Sequence, residues 1–159
     1  MKTARRARGI SRFEFAVVVT VVAVLVLPLA KALLYYEGIA ERQRVDLTIR
    51  DMRTFLRLKM LDLMVNGRRA EIEALVGKNP VLLMEQEPKG YRGEFDRDHR
   101  QISGGEWYFD LSRKELAYVP TSLSFPKQPG EGEELRWQLK FASRTEMSVR
   151  LEAIAQNQP

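Results

Sequence analysis

Residues 13–36 read FEFAVVVTVVAVLVLPLAKALLYY, and this apolar stretch determines what kind of protein the chain can form. Its only charges are Glu14 at the beginning and Lys31 towards the end. The 22 residues that follow Glu14 form a helix of about 33 Å, enough to cross a hydrocarbon core of about 30 Å. Lys31 is close enough to the far end to extend its ammonium group to the membrane surface. We therefore predict a transmembrane helix over residues 10–36.

The charges on either side of this stretch predict its orientation. Glu37 and Glu41 follow it, whereas five basic residues precede Phe13: Lys2, Arg5, Arg6, Arg8 and Arg12. The cytoplasmic flanks of membrane helices are enriched in Lys and Arg, so we expect the N-terminus in the cytoplasm. A helix buried in a soluble core is the less consistent interpretation, because the stretch is apolar on all sides and rich in β-branched residues.

The composition of the chain limits the function classes that remain. Its 159 residues are enough for one modest domain beside the membrane segment. Lys and Arg number 26 against 21 Asp and Glu, but four of the basic residues lie in the first nine, and the remaining 22 balance the acids. This distribution indicates no basic face for nucleic acid. With no cysteine and one histidine, the chain carries no recognisable catalytic or cofactor-binding constellation.

One acidic cluster includes the histidine. It consists of Glu94, Asp96, Asp98 and His99. Oxygen ligands at alternate positions suit Ca²⁺, but the segment lacks the glycine and the terminal glutamate of an EF-hand loop. We interpret the cluster as a solvated loop and predict no metal site.

The residues in front of the apolar stretch carry a second pattern. The run Arg8-Gly9-Ile10-Ser11-Arg12-Phe13-Glu14 places a glycine after a short basic leader and a glutamate five residues later. This pattern resembles the class III signal of type IV pilins and type II secretion pseudopilins, although that family usually has phenylalanine or methionine where this chain has Ile10. The resemblance implies a leader of residues 1–9, which a prepilin peptidase removes by cleavage after Gly9, and methylation of the new N-terminus at Ile10.

Glu14 and Pro28 are the residues of the apolar helix with a predicted role. A carboxylate in the acyl region costs about 2.5–3.5 kcal/mol at a helix centre. One interpretation places Glu14 at the interface, where it reaches lipid headgroups. The other pairs it with the amine that cleavage frees at Ile10, in the same or a neighbouring subunit, and so favours assembly of helices side by side. Pro28 lacks a backbone N–H, which predicts local flexibility of the helix.

The apolar residues after Tyr36 keep a helical period but leave room for charges. Val45 is followed at three- and four-residue steps by an apolar stripe: Ile49, Met52, Leu56, Met60 and Leu63. A second apolar edge consists of Leu47, Leu58, Leu61 and Val65. We predict an amphipathic continuation of the helix over residues 37–66, with one face on a domain core and an end at Asn66-Gly67. Together the two halves predict one helix over residues 10–65, with Gly38 as its weak point.

The remainder of the chain, residues 67–159, predicts a short helix, a loop-like stretch over residues 85–105 and then strands. Alternation of apolar and polar residues runs through four segments: Glu106–Leu111, Leu116–Val119, Leu135–Phe141 and Met147–Leu151. This predicts an antiparallel sheet with one buried face and one solvated face, Tyr108 and Arg136 lying on the solvated one. The fold class is therefore α+β, with the long helix covering the apolar face of the sheet.

A long N-terminal helix followed by an antiparallel sheet resembles the pilin architecture. Short motifs add to the resemblance and are similar to those of minor pilins of the mannose-sensitive haemagglutinin type: Asn79-Pro80, Gly90-Tyr91, Gly105-Glu106-Trp107-Tyr108-Phe109-Asp110 and Leu116-Ala117-Tyr118. The resemblance implies a minor pilin or pseudopilin, a filament subunit and not an enzyme. It also implies a single-pass protein of the bacterial inner membrane, with its C-terminal domain in the periplasm or on a surface filament.

The partners implied are other pilin or pseudopilin subunits, the prepilin peptidase and inner-membrane lipid, with no cofactor and no nucleic acid. Two alternatives remain open from the residues alone. The first is a single-pass membrane anchor whose periplasmic domain binds an unrelated envelope complex. The second is a secreted protein, cleaved after Ala32 in the small-x-small pattern Ala30-Lys31-Ala32.

Overall fold

A computed structural model describes residues 11–96, 102–121, 125–126, 133–143 and 148–155. Its longest element is helix α1, Arg12–Val65, whose 54 residues run without a break. The helix begins at Ser11, whose side chain accepts a hydrogen bond from the Glu14 N–H, and ends at Asn66, with Gly67 at φ 70°. The predicted single helix is therefore confirmed from Arg12 onward, and neither Pro28 nor Gly38 interrupts it.

The second half of α1 buries one face. The predicted stripe is confirmed, because Val45, Ile49, Met52, Leu56 and Leu63 are all buried in the core and Met60 packs against it at partial burial. The second apolar edge has a different outcome. Its four residues are exposed on the surface: Leu47, Leu58, Leu61 and Val65. In the part of the chain that the structure describes, the domain thus covers one face of this amphipathic segment.

Two short helical segments follow α1 and close one end of the core. Helix α2, Arg69–Glu73, buries Ile72, and the turn after it buries Leu75. A 3₁₀ turn, Pro80–Leu83, begins at Asn79, whose side chain accepts from the Val81 N–H. Proline at the first position of this turn needs no N–H partner, which suits it to start a helical segment.

In the described part of the chain, the sheet has five strands in the order β1-β2-β3-β4-β5. Their bounds are Tyr91–Phe95, Glu106–Asp110, Glu115–Val119, Leu135–Ser143 and Ser148–Ala153. Strands β2 to β5 form the predicted antiparallel meander, in which Phe109 faces Leu116 and Leu139 faces Leu151. The core lies between this sheet and α1, and the Trp107 ring packs at centroid distances of 4.7 Å from Tyr118 and 5.6 Å from Trp137.

Strand β1 corrects two expectations. It lies in the stretch predicted to be loop, residues 85–105, and it pairs parallel with β2, so the sheet is mixed and not purely antiparallel. Its sequence Tyr-Arg-Gly-Glu-Phe carries a central glycine at φ 106°, Gly93, and the register shifts between Tyr91 and Glu94. A glycine and a bulge weaken the alternation on which strand prediction depends.

The face of the sheet away from α1 corrects a third expectation. Tyr108 and Arg136 were predicted to be solvated, yet Tyr108 has no exposed surface, and Arg136 is 6% exposed. Asp110 is buried beside them. Two apolar residues have the opposite outcome, because Leu111 lies in the turn after β2 and Phe141 near the end of β4, both on the surface.

Candidate functional site

The first half of α1 is an apolar cylinder whose side chains are almost all exposed. No part of its most apolar window is buried, and it is the only helix of the described residues that is long and apolar enough to cross a membrane. Leu25 and Leu29, near its middle, are 66% and 70% exposed. A surface of this kind is favourable only against lipid or against another apolar surface. The helix is thus a candidate membrane anchor or signal sequence.

Glu14 lies at the N-terminal end of this cylinder in a capping box. Its Oε2 accepts from the Ser11 N–H at 2.9 Å, while Ser11 Oγ accepts from the Glu14 N–H at 3.1 Å. The carboxylate therefore reaches back to the residue that follows Ile10. Capping of this kind satisfies two N–H groups at the helix start and gives Glu14 a local role beside the predicted intersubunit one. Gly9 and Ile10 lie outside the described residues.

Pro28 lies in the middle of the exposed cylinder. Its ring nitrogen provides no donor for the carbonyl of Val24, one turn earlier, so the hydrogen-bond ladder has a gap at this level. Thr20 closer to the N-terminus satisfies its hydroxyl internally, by donating to the Ala16 carbonyl at 2.9 Å. The predicted flexibility at Pro28 stays a prediction.

The junction between the exposed cylinder and the sheet domain is held by a buried carboxylate. Glu41 is 7% exposed, and its Oε1 accepts from the Tyr118 hydroxyl and from the Thr121 N–H, both at 2.7 Å. Burial of Tyr118 raises the pKa of its phenol, and the hydrogen bond to Glu41 raises it further. The phenol consequently stays protonated and keeps donating, which fastens β3 to α1 one turn beyond the apolar stretch.

On the opposite face of the sheet, Arg136 lies at the centre of a buried polar cluster. Its guanidinium donates to Tyr108 Oη at 2.9 Å, to Glu134 at 2.5 Å and to Glu115 at 3.2 Å, and it lies 3.5 Å from Asp110. These contacts join β2, β3 and β4. The alternation of apolar and polar residues does not predict this cluster. It assigns an arginine and a tyrosine at outward positions to solvent, because it contains no information about their partners.

The pKa values of this cluster follow from its burial and charges. Burial raises the pKa of the Tyr108 phenol, and the hydrogen bond to Glu134 adds to the rise. Burial also disfavours the Asp110 carboxylate, but hydrogen bonds from the Arg113 N–H and the Ser112 hydroxyl, with the charge of Arg136, outweigh it and lower the pKa of Asp110 below 3.8. Arg136, Tyr108 and Asp110 each have hydrogen-bond partners within the cluster, which therefore cross-links the strands that carry them.

Glu94 of the acidic cluster lies on strand β1 and not in the loop that the sequence predicts. It accepts from the Asn79 side chain at 2.9 Å, and Asn79 also lies 2.6 Å from the Tyr91 hydroxyl. No group of three or more acidic, histidine or cysteine side chains suited to a metal occurs among the described residues. Asp98 and His99 lie outside them.

Comparison with known proteins adds no assignment to this geometry. No protein-family model, no curated protein and no solved structure matches the chain. The features that bear on function are those of the chain itself, an exposed apolar helix with a charged start that is joined to a sheet domain.

Proposed function

We propose that the chain is a minor pilin or pseudopilin, a non-catalytic subunit that joins a type IV pilus or type II secretion pseudopilus. The observation that supports this most is the single helix Arg12–Val65, whose first half is apolar and free while its second half is bound to a sheet. One element of this kind serves both as a membrane anchor before assembly and as a packing surface afterwards. Lipid tails and apolar helices are interchangeable neighbours for such a surface.

The membrane stage follows from the lengths and charges. From Phe15 to Tyr36 the helix spans about 33 Å, which matches the hydrocarbon thickness. The basic residues before the helix keep the N-terminus in the cytoplasm, so the sheet domain lies in the periplasm. Tyr35 and Tyr36, both exposed, lie where aromatic side chains favour the membrane surface.

Glu14 has its role during filament assembly. Cleavage after Gly9 frees the amine of Ile10, one residue before the N–H that Glu14 already contacts. The carboxylate is therefore able to pair with that amine in its own chain or with the amine of a neighbour. A pair of opposite charges in an apolar surrounding is favourable only at close contact, and such contact favours helices aligned in register.

The test compares three substitutions at this end of the helix in cells that assemble the filament. Glu14→Gln keeps a side chain that can close the capping box but removes the charge, whereas Ser11→Ala removes the cap hydroxyl and keeps the charge. We expect Glu14→Gln and Glu14→Ala to insert normally and to disappear from sheared filaments and from crosslinks to other pilin-like subunits. Ser11→Ala should be retained, since an N-cap is worth only about 1 kcal/mol.

Mass spectrometry of the mature N-terminus separates the competing functions. A methylated Ile10 supports the proposal, an intact Met1 favours a single-pass anchor for another envelope complex, and an N-terminus at Leu33 indicates secretion. A Gly9→Val change should leave an uncleaved precursor in the membrane fraction. Equal recovery of Glu14→Gln and wild-type protein in the same complexes would overturn the pilin proposal.

A further inference from the structure

The last strand of the sheet, β5, leaves its outer edge open. Among the residues that the structure describes, it ends the strand order, with β4 on one side and no strand on the other. Because Ile154 donates its N–H to the Arg136 carbonyl on β4, the alternate residues Val149, Leu151 and Ala153 turn their backbone groups away from β4. A row of outward N–H and C=O groups is the template to which a further strand can add.

Two of those outward groups are occupied by side chains of α1. The Val149 N–H lies 3.4 Å from the sulfur of Met60, a weak acceptor, and the Leu151 carbonyl accepts from Arg53 Nε at 3.2 Å. Among the described residues, no partner is found for the Leu151 N–H or for either backbone group of Ala153. Within the described part of the chain, the side chains of Arg53 and Met60 are thus the groups that hydrogen-bond to this edge, and both are long and flexible.

A groove runs along this edge, between α1 and β5, and it is basic. Arg53, Leu56, Arg57 and Met60 line one wall, and Ser148–Ala153 line the other. Arg57 and Arg150 are exposed, and neither has an ion-pair partner among the described residues. Among the described residues that line the groove, Glu152 is the one acidic residue.

The neighbouring strand β4 places a further positive charge beside β5. Lys140 on β4 lies directly opposite Arg150, and both side chains are exposed. Like charges at directly opposed positions of an antiparallel pair repel each other, which an anion placed between or beside them would relieve. Cations therefore flank the open edge on the helix side, at Arg53 and Arg57, and on the opposite side of the sheet, at Arg150 and Lys140.

We propose that the β5 edge binds an extended acidic segment of a partner protein, which adds to the sheet as a sixth strand. The partner's backbone pairs with the outward groups of Val149, Leu151 and Ala153 after the side chains of Arg53 and Met60 move aside. Its carboxylates, pointing alternately to the two faces, meet the arginines of α1 and the Lys140–Arg150 pair. Backbone pairing supplies affinity and charge supplies selectivity, as in other cases of strand addition. This surface is separate from the apolar helix and from Glu14.

The experiment uses the full-length chain in detergent micelles and three synthetic octapeptides. The probe is (Glu-Glu-Thr-Thr)₂, whose carboxylates point to both faces when the peptide is extended. The charge-reversed control is (Lys-Lys-Thr-Thr)₂. A third peptide, (Glu-Glu-Pro-Pro)₂, has the same charge as the probe but cannot add as a strand. We expect only the first to bind by fluorescence anisotropy, and to slow hydrogen exchange at the amides of Val149, Leu151 and Ala153.

Substitutions on the protein separate the contribution of charge to binding from that of backbone pairing at the strand edge. Arg57→Glu with Arg150→Glu should weaken binding at least about tenfold, while Lys89→Glu, an exposed cation beside β1, leaves it unchanged. Ala153→Pro removes one outward N–H at the end of the strand and should also weaken binding. Equal binding of the acidic and proline peptides, unchanged exchange at the three amides, or no binding of any peptide would overturn the inference. None of these readouts depends on cleavage at Gly9 or on filament assembly.

Discussion

The two halves of α1 belong to one helix but are stabilised by different surroundings. Before Glu37 almost every side chain is exposed, and the only cap is the local one of Ser11 with Glu14. After Glu37 residues at three- and four-residue steps are buried in the sheet domain, from Gly38 and Glu41 to Leu63, with Met60 partly buried. The first half therefore needs a partner or a membrane, whereas the second carries its partner in the same chain. Apolar content and charge placement both distinguish the two halves, since the first half is almost free of charges whereas the second combines an apolar stripe with charged residues.

This difference implies that the sheet domain folds without the first half. All residues of α1 in the core lie at Gly38 or later, so a fragment of residues 37–159 keeps every core contact that the described structure contains. The fragment also removes the apolar cylinder, whose exposed surface would otherwise drive association in water. The free energy of unfolding of this fragment therefore reports on the second half of α1 without a contribution from the first half.

The largest expected effect comes from a charge on the buried face of the second half. Leu56→Asp should cost about 4–5 kcal/mol of unfolding free energy in the fragment, because Leu56 is 2% exposed and the carboxylate has no partner. Leu58→Asp, two residues later at 57% exposure, is the matched control and should change stability by about 0.5 kcal/mol or less. Urea denaturation measures both, and similar midpoints would mean that the face of α1 toward the sheet is misassigned.

A charge in the first half should act on the membrane and not on the domain. Leu25→Asp in the full-length chain should make insertion less favourable by about 2.5–3.5 kcal/mol. Unfolding of the sheet domain, followed by the fluorescence of Trp107 and Trp137, should stay as in the wild type. Carbonate extraction of membranes reports how much of the variant remains inserted. If Leu58→Asp reduced membrane retention as strongly as Leu25→Asp, the division between the two halves would lie elsewhere.

The smallest expected effect is the pH dependence of the buried cluster behind the sheet. Because the folded state lowers the pKa of Asp110 below 3.8, its carboxylate contributes stability that is fully present above that value and is lost as the pH falls through the lowered pKa. The fragment should therefore lose more stability between neutral and strongly acidic pH than its Asp110→Asn variant does. Urea midpoints across that range test this, and parallel curves for the two proteins would assign the acid sensitivity to other carboxylates.

Sequence reasoning predicted the elements whose periodicity repeats over many residues. The helix Arg12–Val65, its buried stripe, and the antiparallel meander of β2 to β5 follow from regular spacing of apolar residues. It missed β1, whose glycine and register shift break the alternation. It also misplaced Tyr108 and Arg136. An alternating pattern assigns polar residues to solvent and does not show that several of them hydrogen-bond to one another.

What the sequence determined by itself is the long apolar helix, its charged start and the alternation of the later strands, because hydrophobic content and period are local properties of the chain. Only the tertiary structure decided that β1 runs parallel to β2, that Glu41 is held by Tyr118 and Thr121, and that Arg136 is buried among carboxylates. Each of these depends on groups distant in sequence. A buried charge is tolerated when its partners arrive from other strands, and the pairing of those strands is set by the whole fold.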